Sequence, residues 1–117
     1  NITEIAFYFA CAELSYKMNA VEPKINSKRL VMLDRARHPL LDKEKVVPIT
    51  ISLGEAYRML VITGPNTGGK TVTLKTLGLF SLMLQAGLQI PAESADMCIF
   101  DGIFYLRGRI LRLFFVV

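Results

Sequence analysis

At 117 residues the chain is one domain or a piece of one, and 52% of it is apolar, enough to build a core. The formal charge is +4, but Arg107, Arg109 and Arg112 all fall near the C-terminal end, and without them the basic and acidic residues nearly cancel. Composition therefore gives no case for a nucleic-acid-binding face on the body of the domain.

The apolar residues Ile2, Ile5, Phe9, Ala12 and Tyr16 step by three and four, the spacing of one helical stripe. A packing helix is expected from Asn1 to Met18, ending near Asn19, before Glu22-Pro23. The opening residues lack the basic stretch of a signal peptide and contain no initiating Met, which reads as a start inside a longer protein. Arg29-Leu30-Val31-Met32-Leu33 is a short strand candidate, and His38, just before Pro39, reads as a loop residue tied to nearby backbone. Asp42-Lys43-Glu44-Lys45 is a mixed charge run of the kind found in solvated turns. From Val46 to Leu53 the apolar residues Val47, Ile49, Ile51 and Leu53 alternate, as in a half-buried strand, before Gly54-Glu55 turns the chain. As an antiparallel lead-in this strand would put Val47, Pro48 and Ile49 within reach of an adenine base.

The next segment organises the rest. Arg58–Thr63 is a short, apolar, partly β-branched run that fits a buried parallel strand. It leads into Gly64-Pro65-Asn66-Thr67-Gly68-Gly69-Lys70-Thr71, which has the form G-x-x-x-x-G-K-[ST] of the phosphate-cradling loop. A triphosphate needs many donors converging on a small volume. Backbone N–H groups supply them where no Cβ blocks the approach, hence Gly64, Gly68 and Gly69. Lys70 would set an ammonium against the β- and γ-phosphates, as the catalytic cation of the site, and the Thr71 hydroxyl would ligate Mg²⁺. The implied cofactors are ATP and Mg²⁺.

Thr71 opens a segment without Pro that is long enough for four helical turns. Val72, Leu74, Leu77, Leu79, Phe80, Leu82, Met83 and Leu84 point all round it, so this helix is expected to be covered on every side. Gly87 stands where a terminating glycine belongs. Gln89–Glu93 reads as a loop, and Met97-Cys98-Ile99-Phe100 as the start of another strand. Cys11 and Cys98 are far apart, there is no C-x-x-C and only one His, so two reduced, buried thiols of a cytosolic protein are expected and not a metal centre. No run of about 18 apolar residues is present, and no membrane span is expected.

With the loop, the Arg37-His38-Pro39-Leu40 element and the Gly87…Pro91-Ala92-Glu93…Ala95 element in view, the chain resembles the ATPase domain of the MutS family. Thr67, the Thr71–Thr76 continuation and Leu77-Gly78-Leu79 resemble its second bacterial branch, MutS-two. The resemblance covers residues 1–104. It implies an α/β fold, part of a P-loop ATPase domain of the ABC type, with a mixed sheet and flanking helices. Residues 105–117 depart from the family pattern and read as an atypical tail that is not native family sequence.

The resemblance also implies a cytoplasmic homodimer whose ATP sites are completed across the dimer. It implies partners in branched or recombining DNA, a role in recombination control with a separate endonuclease domain, and a link to the ribosome. Only the loop positions, Gly64 through Thr71, carry over residue by residue. The family's second acidic motif, an apolar strand ending in Asp-Glu, is absent from this sequence. The chain alone is therefore expected to bind ATP without hydrolysing it efficiently, and its unpaired strands to favour self-association. The alternatives are another P-loop enzyme, such as a small kinase or transporter ATPase subunit, and a non-catalytic interaction module. The Ser-Gly pair usual in transporter loops and the Arg-rich lid of kinases are not in view.

Overall fold

The computed structural model describes residues 1–54, 69–100, 102–106 and 112–116. In chain order its elements are α1 (Ile2–Met18), β1 (Lys24–Asn26), β2 (Val31–Ala36), β3 (Ile49–Leu53), α2 (Gly69–Gln85), β4 (Ser94–Cys98), β5 (Gly102–Leu106) and β6 (Arg112–Val116). Four strands form a mixed sheet in the order β1-β4-β2-β3, with β1 parallel to β4 and β2 antiparallel to both its neighbours. β5 and β6 form a separate antiparallel pair. The expectation of an α/β fold with a mixed sheet and helices holds. Arg58–Thr63, read as a buried strand, lies outside the described residues.

Burial along β2 explains why it runs further than the sequence reading. Val31 and Leu33 face the core with Met32 exposed between them, and Asp34 and Arg35 are both exposed before Ala36 turns in again. Two consecutive outward residues require a bulge. Opposite β3 the register runs from Leu33↔Ile51 to Ala36↔Ile49, one extra residue on β2, and Arg35 takes the left-handed conformation at φ 49°. The expected strand ended at Leu33 because strict alternation stops there. β3 begins at Ile49, later than expected, and within it Ile51 is buried while Thr50 and Ser52 face out. Gly54 follows with φ +105°, and a Cβ there would lie 2.4 Å from the Arg29 carbonyl oxygen, so the close approach needs glycine.

β1 carries no apolar alternation and was not expected as a strand. Its place comes from pairing: Asn26 Nδ2 donates to Asp96 Oδ1 on β4 at 2.6 Å and to the Leu30 carbonyl at 3.0 Å. Asn26 Oδ1 accepts from the Lys28 and Leu30 N–H groups, closing the turn into β2. The same pairing corrects the start of β4. Ser94-Ala95-Asp96 is too small and polar to read as a strand, yet it pairs with β2 and Asp96 with β1, so β4 begins at Ser94 and not at Met97.

The core lies between the sheet and α2. Val31 and Leu33 from β2, Ala95 and Met97 from β4, and Leu77, Phe80, Met83 and Leu84 from α2 form one buried cluster with Ile90 and Ala92. The buried hydroxyls of Thr76 and Ser81 donate to the carbonyls of Val72 and Leu77 one turn back, so burial leaves neither unpaired. Full coverage of α2 is not found. Lys75 and Leu82 are exposed, Leu82 at 56%, because the helix presses one side onto the sheet. Gln85 ties the end of α2 to the chain beyond β4 through a 2.6 Å bond from Nε2 to the Phe100 carbonyl.

Both helices end the same way. At α2, Gly87 sits at φ +82°; its N–H reaches the Leu84 carbonyl at 3.1 Å, and Leu88 N–H reaches that of Met83 at 2.9 Å. At α1, Asn19 takes this left-handed position at φ 52°, with Asn19 and Ala20 donating to Tyr16 and Ser15. A Cβ on Gly87 meets nothing within 4 Å, so Gly87→Ala isolates the backbone cost. The expected loss is about 1–2 kcal/mol of stability, read as a lower urea midpoint with unchanged slope.

α1 itself departs from expectation. It is a helix over nearly the expected residues, capped at its start by Asn1 Oδ1 accepting from Thr3 N–H at 3.0 Å. Its apolar stripe does not pack, however, and no residue of α1 is buried. Contact with the body comes from another side, where Cys11, Ser15 and Met18 are half-buried and Met18 touches the core. The three-and-four spacing reports which side of a helix is apolar, not whether anything covers it. Of the two free thiols, Cys98 is buried as expected and Cys11 is only half-buried. Among the described residues no helix is long and apolar enough to cross a membrane.

Candidate functional site

The glycine-rich motif stands at the beginning of α2. The helix starts at Gly69, so the backbones of Gly69, Lys70 and Thr71 form its first turn. Gly64, Pro65, Asn66, Thr67 and Gly68 lie outside the described residues, as do the side chains of Lys70 and Thr71. The helix N-terminus offers N–H groups that have no partner within the helix and the positive end of its dipole, and its first turn carries no acidic residue. This end of the helix therefore suits an anion, which is the requirement a triphosphate sets. α2 is held rigidly beneath it by Leu77, Phe80, Met83 and Leu84 against the sheet.

Two further elements singled out in the sequence are brought together by the fold. Arg37 N–H donates to the Pro91 carbonyl at 2.9 Å, and Glu93 N–H donates to the Asp34 carbonyl at 2.9 Å. Arg35 Nε pairs with Glu93 Oε1 at 3.1 Å on the surface. Ala36, Ala92 and Ala95 are buried alongside. Arg37 also reaches back, Nη2 donating to the Asn19 carbonyl at 3.0 Å at the end of α1. Beside it, Val21 and Ile90 exchange backbone bonds of 2.8 and 3.0 Å. The Arg-His-Pro and Pro-Ala elements are thus a structural joint that fixes the end of α1 and the loop after α2. Sequence spacing alone gives no signal for that joint, because its bonds are mostly backbone to backbone.

His38 behaves as the loop reading expects. Its Nδ1 accepts from Leu40 N–H at 3.2 Å, which requires a neutral ring at that nitrogen. Burial, helped by the positive charge of Lys75 on α2, holds its pKa below 6.5. The unfolded chain therefore takes up a proton more readily than the folded one. The stability this residue contributes is present above about pH 6.5 and is lost as the pH falls below it. His38→Asn, which keeps a side-chain acceptor but cannot titrate, should flatten that part of the pH dependence in urea midpoints taken on either side of about pH 6.5. Parallel losses in wild type and variant would count against it.

Of the residues placed near an adenine base, Val47 is 77% exposed, Pro48 is half-buried and Ile49 packs against the core. The mixed charge run forms a solvated turn, with Asp42 accepting from the N–H groups of Glu44, Lys45 and Val46. An open groove of about 730 Å³ runs between α1 and the loop after α2, lined by Cys11, Ser15, Asn19, Lys43, Gly87 and Gln89. It lies at the C-terminal end of α2, about 25 Å along the helix from its first turn at Gly69.

Residues 60–110 match the family model described as MutS domain V, a span that contains the glycine-rich motif and all of α2. Over 104 residues, 88% of the chain, it is 53% identical to a protein of Brevibacillus brevis and 54% identical to one of Finegoldia magna, both named Endonuclease MutS2. A Clostridioides difficile protein of the same name is 54% identical over 99 residues, 84% of the chain. The chain spans only 12–13% of the length of these curated relatives. Together the matches make the chain similar to MutS-family proteins, and among them to those named Endonuclease MutS2.

Proposed function

We propose that the chain is a nucleotide-binding segment of a MutS-type ATPase of the P-loop class, gripping Mg·ATP with Gly64–Thr71. In this reading the backbone N–H groups of Gly64, Asn66, Thr67, Gly68 and Gly69 line the phosphate cradle, and Pro65, which has no N–H, shapes its turn. Lys70 neutralises the β- and γ-phosphates, and Thr71 supplies a ligand to Mg²⁺. The observation that carries it is that this glycine-rich motif runs straight into the N-terminal end of α2, whose first turn carries no acidic residue. The match to MutS domain V across that junction supports it. Bound ATP would supply the phosphoanhydride chemistry. The 117 residues contain no Asp-Glu pair to hold the metal and position water, so binding without efficient hydrolysis is the activity proposed for this chain.

For the longer proteins of this type we propose a cytoplasmic homodimer that couples ATP to DNA binding in recombination control. An endonuclease activity would reside elsewhere in the polypeptide, and the ribosome would be a second partner. Titration with a fluorescent ATP analogue tests the local claim. Saturable, Mg²⁺-dependent binding that unlabelled ATP displaces is the expected result, and no binding would remove the basis for the reading.

A further inference from the structure

The 38–48 loop joins the end of β2 to the start of β3, and the topology sets it beside the first turn of α2. β4 opens at Ser94, opposite Asp34, and closes at Cys98. Gln85, the last residue of α2, bonds to the Phe100 carbonyl just past that closing end. The first turn of α2 lies about 25 Å back along the helix axis. It is therefore at the other end of the sheet, where Ala36 pairs with Ile49 and the loop begins and ends. His38, at the start of the loop, is close enough to Lys75 in the second turn of α2 to feel its charge.

The loop is fastened at its start, in its middle and at its end. Arg37 holds the start, through its N–H to Pro91 and its Nη2 to Asn19. In the middle, the N–H groups of Lys45 and Val46 close a turn on the Asp42 carbonyl at 3.0 and 2.8 Å. From that turn Lys43 Nζ donates to the Lys17 carbonyl at the C-terminal end of α1. The α1 backbone leaves this carbonyl open. Asn19 and Ala20 donate to Tyr16 and Ser15, and Val21, next in line, donates to Ile90 instead. Lys43 thus supplies the missing donor and sets a cation at the negative end of the helix dipole. Between the turn and β3 stand only Val47 and Pro48. Pro48 restricts Val47 to extended backbone, and Ile49 packs against the core. Val47, 77% exposed, is therefore presented from a fixed position.

We propose that Lys43 is a positioning residue for the base half of the nucleotide site, a role that rests on the nucleotide reading of Gly64–Thr71. By fastening the Asp42–Val46 turn to α1, it holds Val47 and Pro48 as an apolar surface for the adenine ring. On that reading the phosphates are gripped by the motif, on a different segment, so loss of the Lys43 tie falls on the base alone.

Displacement of a fluorescent ATP analogue, with Mg²⁺ present, by ATP and by tripolyphosphate, which has no base, tests the role. The ratio of the two affinities is the readout, since a general effect of charge on a polyanion cancels in it. Lys43→Met keeps the stem and loses the donor. It should move the ratio against ATP by about three- to tenfold, with unchanged circular dichroism because Lys43 is exposed. Lys43→Arg, which can still donate, should keep the wild-type ratio. So should Lys45→Met, which removes the same charge from the same turn. Equal weakening of both ligands by Lys43→Met, or no change in either, overturns the proposal and leaves the motif's hold on phosphate standing. A wild type that does not bind the analogue removes the nucleotide reading itself, and the role of Lys43 with it.

Discussion

Lys70→Ala is expected to weaken binding of a fluorescent Mg·ATP analogue by a factor of roughly 10 to 150, with no change in fold. The magnitude follows from what the variant removes. A charge-assisted contact from an ammonium to phosphate contributes about 1.5–3 kcal/mol, and that range converts directly to the factor stated. On the proposed reading the loss is not total, because the backbone N–H groups of the loop and of the first turn of α2 would still hold the phosphates. Their contribution does not depend on any one side chain. The remaining affinity should also fall less steeply with added salt, since one fixed positive charge has gone. Lys70→Arg should recover only part of the loss, because a planar fork does not reproduce the compact point charge of an ammonium. Equal affinities for wild type and Lys70→Ala would end the nucleotide reading while leaving the similarity to MutS2 proteins untouched.

How far the fold was legible in the sequence depends on where each element draws its stability. α2 was legible because its ends are written locally, by the glycine-rich motif before it and by Gly87 after it. The helix of α1 was legible for the same reason, with Asn1 and Asn19 as its caps. Its exposure was not, since a stripe of Ile, Phe and Tyr looks the same whether or not a neighbour covers it. β1 was invisible: a Lys-Ile-Asn strand exists only because β4 runs beside it and Asn26 bonds to Asp96, seventy positions away. The bulge at Arg35 hid the second half of β2, for two consecutive exposed residues break the alternation that marks a strand. The β5–β6 pair fell in a segment whose mix of Arg and bulky apolar residues gave no period to follow. The motif itself was the plainest signal in the chain, because its chemistry constrains residue type at each position and asks little of the distant fold.

The stability of that frame rests most heavily on Phe80. It is fully buried on α2, in the same cluster as Leu33, Ile90 and Met97, each at 0–1% exposure. Phe80→Ala is expected to cost about 3–5 kcal/mol, the loss of a buried aromatic plus the cavity that the rigid sheet cannot close. A domain of this size has only about 5–15 kcal/mol of stability in total, so the urea midpoint should fall sharply and the variant should sit near its unfolding transition without denaturant. Leu82→Ala on the same helix is the control. Leu82 is more than half exposed, and its truncation should shift stability by no more than about 0.5 kcal/mol. The contrast separates packing from helix propensity, because alanine favours helix at both positions and can only help there. It also bears on function. On the proposed reading α2 would present its first turn to the phosphates only as long as Phe80 and its neighbours pin the helix to the sheet, so Phe80→Ala should weaken nucleotide binding under conditions where Leu82→Ala does not. Comparable losses from the two variants would mean that the Phe80 side of α2 is not the side that holds the helix in place.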